Sequence, residues 1–405
     1  MTREAERSDE TTARVVLKPR KAQPFFGRHP WVFEGAIQYV DGDCADGDVV
    51  DLLTDKENFI ARGVINTRSK LHVRLYTWQE SERLDAAFWR KRLQNAIQLR
   101  NDLPLRSARQ AMRLVFSEAD GLSGLIVDQY AEHLVVQLNA LAIAVRWPVF
   151  ESLLVELLQP RSIVLRSDKS VAKEEGNELL LGAQTGQPPV GPIEISEYGV
   201  RYSVDLFSGQ KTGHYLDQAE NRRTAASYLG GRRVLDLFCY TGGFGLSALQ
   251  IGNAVDVLGV DGSERAIAAA QANASLNGIV NARFEVGDGF QVLDELRNRG
   301  EKFGAVILDP PKFARTRRQV DEALRAYHRI NRLAVELLEP RGILVTCSCS
   351  GGVSRDDFML MLSGVSQKSG RNVQVLEQLG AAADHPVSVT CPETEYLKCF
   401  ICRVS

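Results

Sequence analysis

Val234-Leu235-Asp236-Leu237-Phe238-Cys239-Tyr240-Thr241-Gly242-Gly243-Phe244-Gly245, followed by Val257-Leu258-Gly259-Val260-Asp261, decides the fold. An apolar strand runs into a glycine turn, a helix of small residues follows, and a second apolar strand ends in a carboxylate. Glycine at the turn lets the backbone approach a ligand closely, and Asp261 at the second strand end suits the 2′,3′-diol of a ribose. The pattern predicts a Rossmann-type α/β domain that binds a nucleoside cofactor.

The cofactor is not predicted to be NAD. A dinucleotide fingerprint sets G-x-G-x-x-G where a pyrophosphate meets the helix N-terminus. Here the run is Thr241-Gly242-Gly243-Phe244-Gly245, with an acid on the preceding strand at Asp236, which repels a pyrophosphate and welcomes a cation. S-adenosylmethionine carries a sulfonium and an ammonium and no phosphate. The segment resembles motif I of class I methyltransferases, and Asp288-Gly289, after a strand Arg283 to Val286, resembles their adenine-contacting turn. The cofactor contacts expected on this basis are Lys211, Tyr215, Asp236, Phe238, Tyr240, Gly242, Asp261, Ser263, Asp288, Gly289 and Asp309.

At 405 residues with 44% hydrophobic content, the chain is too long for one ordinary core, so two or three domains are expected. Seven cysteines, an odd count, point to reduced thiols and a cytoplasmic location. No apolar stretch is long enough to span a membrane, and Met1 to Thr12 is unlike a signal peptide. A net charge of −2 carries no global nucleic-acid signature, so any RNA contact must be local.

Two local blocks fit that role. Arg14, Lys18, Arg20, Lys21 and Arg28 form one, and Arg62, Arg68, Lys70, His72 and Arg74 the other, and they are expected side by side on adjacent strands. Between them Val49 to Leu53 and Phe59 to Val64 read as strands of a small β-barrel. The K-P-R-K at Lys18 to Lys21, His29-Pro30-Trp31-Val32-Phe33, and the G-D-V-V and A-R-G-V strands resemble the PUA RNA-binding domain. A helix over Arg83 to Leu103, a hairpin over Leu114 to Asp128, a strand His133 to Leu138, a helix Trp147 to Leu158 and a strand Ser162 to Arg166 make a central α+β segment without a catalytic cluster. Gly182 to Pro192 reads as a connector, and Ile193 to Leu206 as two strands around Tyr198-Gly199. Gly209 to Gln218 then leads into a helix from Ala219, as a ligand-facing loop, with Asp217 as a helix cap, or as both at once.

Chemistry gathers at two later strand ends. Ala305 to Leu308 delivers Asp309-Pro310-Pro311-Lys312-Phe313, and Gly342 to Val345 delivers Thr346-Cys347-Ser348-Cys349-Ser350-Gly351. In amino methyltransferases the D-P-P motif ends in an aromatic residue; Lys312 stands there instead, which argues against purine amine methylation. Carbon 5 of a pyrimidine becomes nucleophilic only after a thiolate adds at carbon 6. A cysteine opposite an acid supplies both parts. Cys239, Cys391, Cys399 and Cys402 read as small buried hydrophobes and Cys44 as incidental. No metal is expected, since His328 and His385 lack partners at ligand spacing.

The motif set as a whole resembles the bacterial large-subunit rRNA methyltransferase I family. It is carried by K-P-R-K, H-P-W-V-F, A-D-G-L-S-G-L-I-V-D, Q-K-T-G-H-Y-L-D-Q, D-L-F-C-Y-T-G-G-F, L-D-P-P-K-F and S-C-S-G, with Ala383 to Pro386 and Tyr396 to Lys398. The resemblance implies a PUA-like RNA-binding domain at 13–80, a central α+β domain at 81–188 and a Rossmann-like methyltransferase domain at 189–405. It implies methylation of carbon 5 of a cytosine in 23S rRNA or a large-subunit precursor, with S-adenosylmethionine as cofactor. Catalytic residues would be Cys349 and Asp309, with Cys347 as an alternative or helper thiol. RNA would meet Lys18, Arg20, Lys21, Arg28, Arg68, Lys312, Arg315 and Arg317, and a homodimer is allowed for. Two other readings stay open: methylation of a guanine or adenine nitrogen in RNA, and a non-catalytic rRNA-binding assembly factor.

Overall fold

A computed structural model describes every residue except 1–10, 12, 106, 167–168, 177–181, 208, 210–211 and 315–316, and the side chains of 169, 170 and 317. The chain divides into two compact units. The first comprises Met1–Pro192, Asp205–His214 and Asp384–Thr394; the second comprises Ile193–Val204, Tyr215–Ala383 and Glu395–Ser405.

The first unit holds two sheets. Six strands lie in the spatial order Trp31–Phe33, Leu71–Thr77, Phe59–Ile65, Val49–Leu53, Ala13–Leu17 and Ile37–Asp41. Their inward residues, Val15, Leu17, Val32, Val50, Leu52, Ala61 and Val73 among them, form one core. The two basic blocks do not lie on adjacent strands, because Val49–Leu53 is inserted between Ala13–Leu17 and Phe59–Ile65. The second sheet runs Gln184–Gly186, Ser162–Leu165, His133–Leu138, Leu125–Tyr130 and Ala111–Phe116. Helices Ala86–Asp102 and Trp147–Leu158 bury Trp89, Leu93, Phe150 and Leu154 against its core. The Asp85 carboxylate starts the first of these by accepting the Phe88 N–H at 2.9 Å. Part of the expected connector is a strand: Gln184–Gly186 pairs antiparallel with Ser162–Leu165. Its polar sequence hides the pairing, since an edge strand needs little apolar content.

The second unit begins with the hairpin Ile193–Glu197 and Val200–Val204, turned at Tyr198 and Gly199, both with positive φ as a tight hairpin turn requires. A seven-stranded sheet follows: β1 (Arg233–Leu237), β2 (Asp256–Asp261), β3 (Ala282–Val286), β4 (Phe303–Leu308), β5 (Leu338–Ser348), β6 (Val373–Leu379) and β7 (Lys398–Val404). The spatial order is β3-β2-β1-β4-β5-β7-β6, and β7 runs antiparallel to both its neighbours. β1 and β4 read as apolar runs because helices cover both faces of a parallel sheet. Chief among these are α1 (Gly243–Gln250), α2 (Glu264–Leu276), α3 (Gly289–Asn298), α4 (Val320–Leu337) and α5 (Arg355–Ser369). Strand order reverses between β1 and β4, and open α/β sheets bind ligands in the crevice at the carboxyl ends flanking such a reversal.

Candidate cofactor and catalytic site

The turn after β1 is bent by three left-handed residues: Phe238 (φ 61°), Tyr240 (φ 48°) and Gly242 (φ 83°). Two of the three carry side chains, a strained arrangement that persists where surrounding contacts enforce it. One such contact is the Asp261 carboxylate at the end of β2, which accepts the Tyr240 N–H at 3.0 Å and the Ser263 N–H at 2.9 Å. Ser263 in turn caps α2 by accepting the Ala266 N–H at 3.3 Å. The Asp288 carboxylate caps α3, accepting the Phe290 and Gln291 N–H groups at 3.0 Å each. Gly289 lies under the Phe238 ring, where a Cβ would fall 2.6 Å from the ring edge. The Tyr215 and Tyr240 rings meet edge to face at 5.3 Å.

Asp236 is the buried member, 1% exposed. One oxygen accepts the Gly245 N–H at 2.9 Å, and the other has no hydrogen-bond partner among the described residues. Burial pushes its carboxyl up to about 8, with Asp309 and Asp261 adding to the rise and the Gly245 N–H opposing it. A buried carboxyl with an unsatisfied oxygen among other acids fits a cationic ligand and disfavours a phosphate. The residues present therefore suit the sulfonium and ammonium of S-adenosylmethionine.

The catalytic candidates end the two central strands. Asp309, just past β4, accepts a hydrogen bond from Gln218 Nε2 at 3.0 Å. Cys347 is still within β5, fully buried and paired in register with Cys399 of β7. Burial holds its thiol well above the ordinary range, and Cys399 and Asp309 raise it further. Cys349, two residues on, is half-buried at the strand end. Every residue from Gly342 to Ser348 is buried, Cys347 among them, whereas Cys349 lies beyond the last β5 residue.

Around these stand residues that the sequence placed only in motifs, and Tyr327, which it did not single out. Lys398, 2% exposed, donates to Ser350 O at 2.7 Å and Tyr396 O at 2.9 Å. Burial brings its ammonium down to about 8, against an opposing pull from Cys349. Tyr327 O–H sits 3.0 Å from Ser348 Oγ and 3.2 Å from Ser350 Oγ, and Ser350 Oγ accepts the Ala314 N–H at 3.2 Å. This bonds the loop after Asp309 to the strand carrying the cysteines. Asp217 is not the helix cap: its carboxylate accepts the Tyr396 O–H at 2.5 Å, and the N-cap position before the helix falls to Gln218. Burial raises the Tyr215 phenol, as do Asp309, Tyr240, Asp217 and Cys349, so it stays a neutral donor.

The expected RNA contacts fall into two sets. In the first unit Lys18, Arg20, Lys21 and Arg28 are exposed; Lys18 Nζ donates to Gly35 O at 3.1 Å. Arg68 is exposed and pairs with Asp46 at 3.4 Å. Its neighbours Arg62 and Arg74 turn inward, Arg62 onto Asp51 at 2.7 Å and Arg74 onto Glu118 and Glu175 at 3.3 and 3.1 Å. In the second unit Lys312 is exposed. Lys211 and Arg315 lie outside the described residues, as does the side chain of Arg317.

Residues 159–390 match the S-adenosylmethionine-dependent methyltransferase family, and residues 15–78 match the PUA-like domain. Proteins named ribosomal RNA large subunit methyltransferase I, from Erwinia tasmaniensis, an Enterobacter species and Escherichia coli, are each 40% identical over 395 residues, covering 97% of this chain and 100% of the relative. A methyltransferase solved in complex with SAH superposes with a TM-score of 0.83 at 20% identity, covering 96% of this chain and 99% of its own. A SAM-dependent methyltransferase from Streptococcus mutans does so at 0.82, with the same identity and coverage. These two likenesses speak to the fold alone. By its length of match and its identity to these relatives, the chain belongs to the ribosomal RNA large subunit methyltransferase I family of S-adenosylmethionine-dependent methyltransferases.

Proposed function

We propose that the chain methylates carbon 5 of a cytosine in 23S rRNA, with Cys349 as the nucleophile. The rRNA substrate is supported by the names of the 40% identical relatives and by the PUA-like match. The observation that carries the carbon-5 reading is the half-buried Cys349 thiol just past β5, next in sequence to Ser350, whose carbonyl holds the Lys398 ammonium at 2.7 Å, on the strand paired with the one that delivers Asp309. A cation next to a thiol favours its thiolate, the form that adds to carbon 6.

S-adenosylmethionine supplies an electrophilic methyl on its sulfonium. The protein's part is to activate and orient the base. Asp309, held by Gln218, accepts hydrogen bonds from the amino and protonated N3 edge of the cytosine. The Cys349 thiolate forms a sulfur–carbon 6 bond, and the electron pair displaced from the 5,6 double bond makes carbon 5 nucleophilic. Carbon 5 takes the methyl as the sulfonium–methyl bond breaks and the thioether S-adenosylhomocysteine leaves; a base then removes the carbon 5 proton, the double bond re-forms, and the sulfur–carbon 6 bond breaks to return the thiolate. Cys347 takes no step in this scheme, because its buried thiol stays protonated.

The test uses methyl-labelled cofactor, protein-free 23S rRNA lacking the modification, and mass spectrometry of the digested nucleosides. Label in 5-methylcytidine is expected; label in a methylated purine overturns the reading. RNA carrying 5-fluorocytidine should trap a covalent complex with the wild type and none with Cys349→Ala.

A further inference from the structure

We propose that His29, Cys391 and Glu393, all in the first unit, form a zinc site. Their donor atoms lie within 4.8 Å of one another. His29 Nε2 is 3.3 Å from Glu393 Oε2, and Cys391 Sγ is 3.5 Å from the same oxygen. Tetrahedral zinc, with metal–nitrogen and metal–oxygen bonds of about 2.0 Å and a metal–sulfur bond of about 2.3 Å, sets its ligand atoms about 3.3 Å apart for N and O and about 3.5 Å apart for S and O. The two edges that meet at Glu393 therefore match tetrahedral corners, and the third, from His29 to Cys391, lies within 4.8 Å, close enough for an ion to draw the ligands in.

The chemistry of the donors points to the same ion. An imidazole, a thiolate and a carboxylate suit zinc and disfavour magnesium or calcium, which take oxygen donors. The thiolate and the Glu393 carboxylate carry two negative charges for a dication. Cys391 is buried, while Glu393 is half-exposed, leaving the fourth position to water. Nearby Glu118 is already engaged by Trp31 Nε1 at 2.9 Å, Ser123 Oγ at 2.7 Å and Arg74 at 3.3 Å, so it competes little for the ion.

Two of the ligands are held in place by their own loop. Thr394 Oγ1 donates to Cys391 O at 2.7 Å and accepts the Ser388 N–H at 2.9 Å, while Cys391 N–H bonds Ser388 O at 3.1 Å. His29 comes from 364 positions before Glu393, so the ion would fasten Asp384–Thr394 to the turn two residues ahead of strand Trp31–Phe33. Coordination through Nε2 moves the imidazole proton to Nδ1 and gives up the 3.3 Å bond that Nδ1 accepts from Trp31 N–H. That loss is small beside the constraint of a clip closing so long a loop.

The test is cobalt titration of the full-length protein, chelator-stripped and kept reduced by a phosphine. One equivalent of Co2+ should give the visible bands of a tetrahedral ion with a thiolate-to-cobalt charge-transfer band, and Zn2+ should displace it. Cys391→Ser should abolish the charge-transfer band, the necessary control in a chain of seven cysteines. Glu393→Gln, at a half-exposed position that folding tolerates, should weaken Co2+ binding at least tenfold. No saturable band in the wild type, or an unchanged band in Cys391→Ser, overturns the proposal. Unchanged Co2+ affinity in both Glu393→Gln and His29→Gln does so even if Cys391→Ser fails to fold.

Discussion

Asp236 is the residue whose chemistry most depends on what binds. Its folded-state pKa is raised, so the group holds a proton in the folded protein that the unfolded chain releases near pH 4. Its contribution to stability is therefore full below about pH 4 and is lost as the pH climbs toward about 8. On the proposal that Asp236 faces the cofactor's positive charge, binding favours the carboxylate, expels this proton and should tighten between about pH 6 and 8. Asp236→Asn should flatten that pH dependence relative to the wild type in calorimetric titrations run in parallel, and should make the cofactor-free protein more stable at pH 8. The two cysteines at the end of β5 separate in the same physical terms. Cys347→Ala should keep methyl transfer within a few-fold and cost about 1–2 kcal/mol in denaturant melts, the cost of a small core cavity. Cys349→Ala should abolish turnover with little change in the melt. Lys398→Met should move the acidic limb of the kcat profile upward by about one pH unit, by removing the cation beside the thiol.

At the scale of elements, close approach decides two glycines. A Cβ on Gly259 of β2 would sit 2.4 Å from the Phe284 ring of β3, so Gly259→Ala should destabilise the domain by about 1–3 kcal/mol in thermal or denaturant melts. Gly289→Ala would lift the Phe238 ring and should raise the cofactor Kd with a smaller effect on the melt. Strand-turn-helix units of this domain were legible because their signals are local: apolar runs, glycine at the bend, acids at strand ends. Gln184–Gly186 was not, because its pairing is set by the edge it joins. The role of Asp217 was also hidden, since Tyr396 reaches it from 179 positions away and takes it out of the capping role the local sequence suggests.

For the molecule as a whole, RNA affinity should rest on exposed cations and weaken with salt. Changing Arg20, Lys21 or Arg28 to Ala should lower the slope of log Kobs against log salt by about 0.7–0.9 per lost phosphate contact, measured by filter binding at several ionic strengths. Arg62→Ala and Arg74→Ala should act on stability instead, because their guanidinium groups are bound to internal carboxylates. The sequence showed a basic block; only packing sorted its members into outward and inward cations. By itself the sequence determined the α/β class, the glycine turn after β1 and the acids at three strand ends, since backbone periodicity and glycine freedom are properties of adjacent residues. Tertiary structure alone decided which of two cysteines stays accessible, that Lys398 stands beside it, that Gln218 holds Asp309, and that His29 meets Cys391 and Glu393. Those are contacts between distant segments, set by strand order and burial, and no spacing along the chain encodes them.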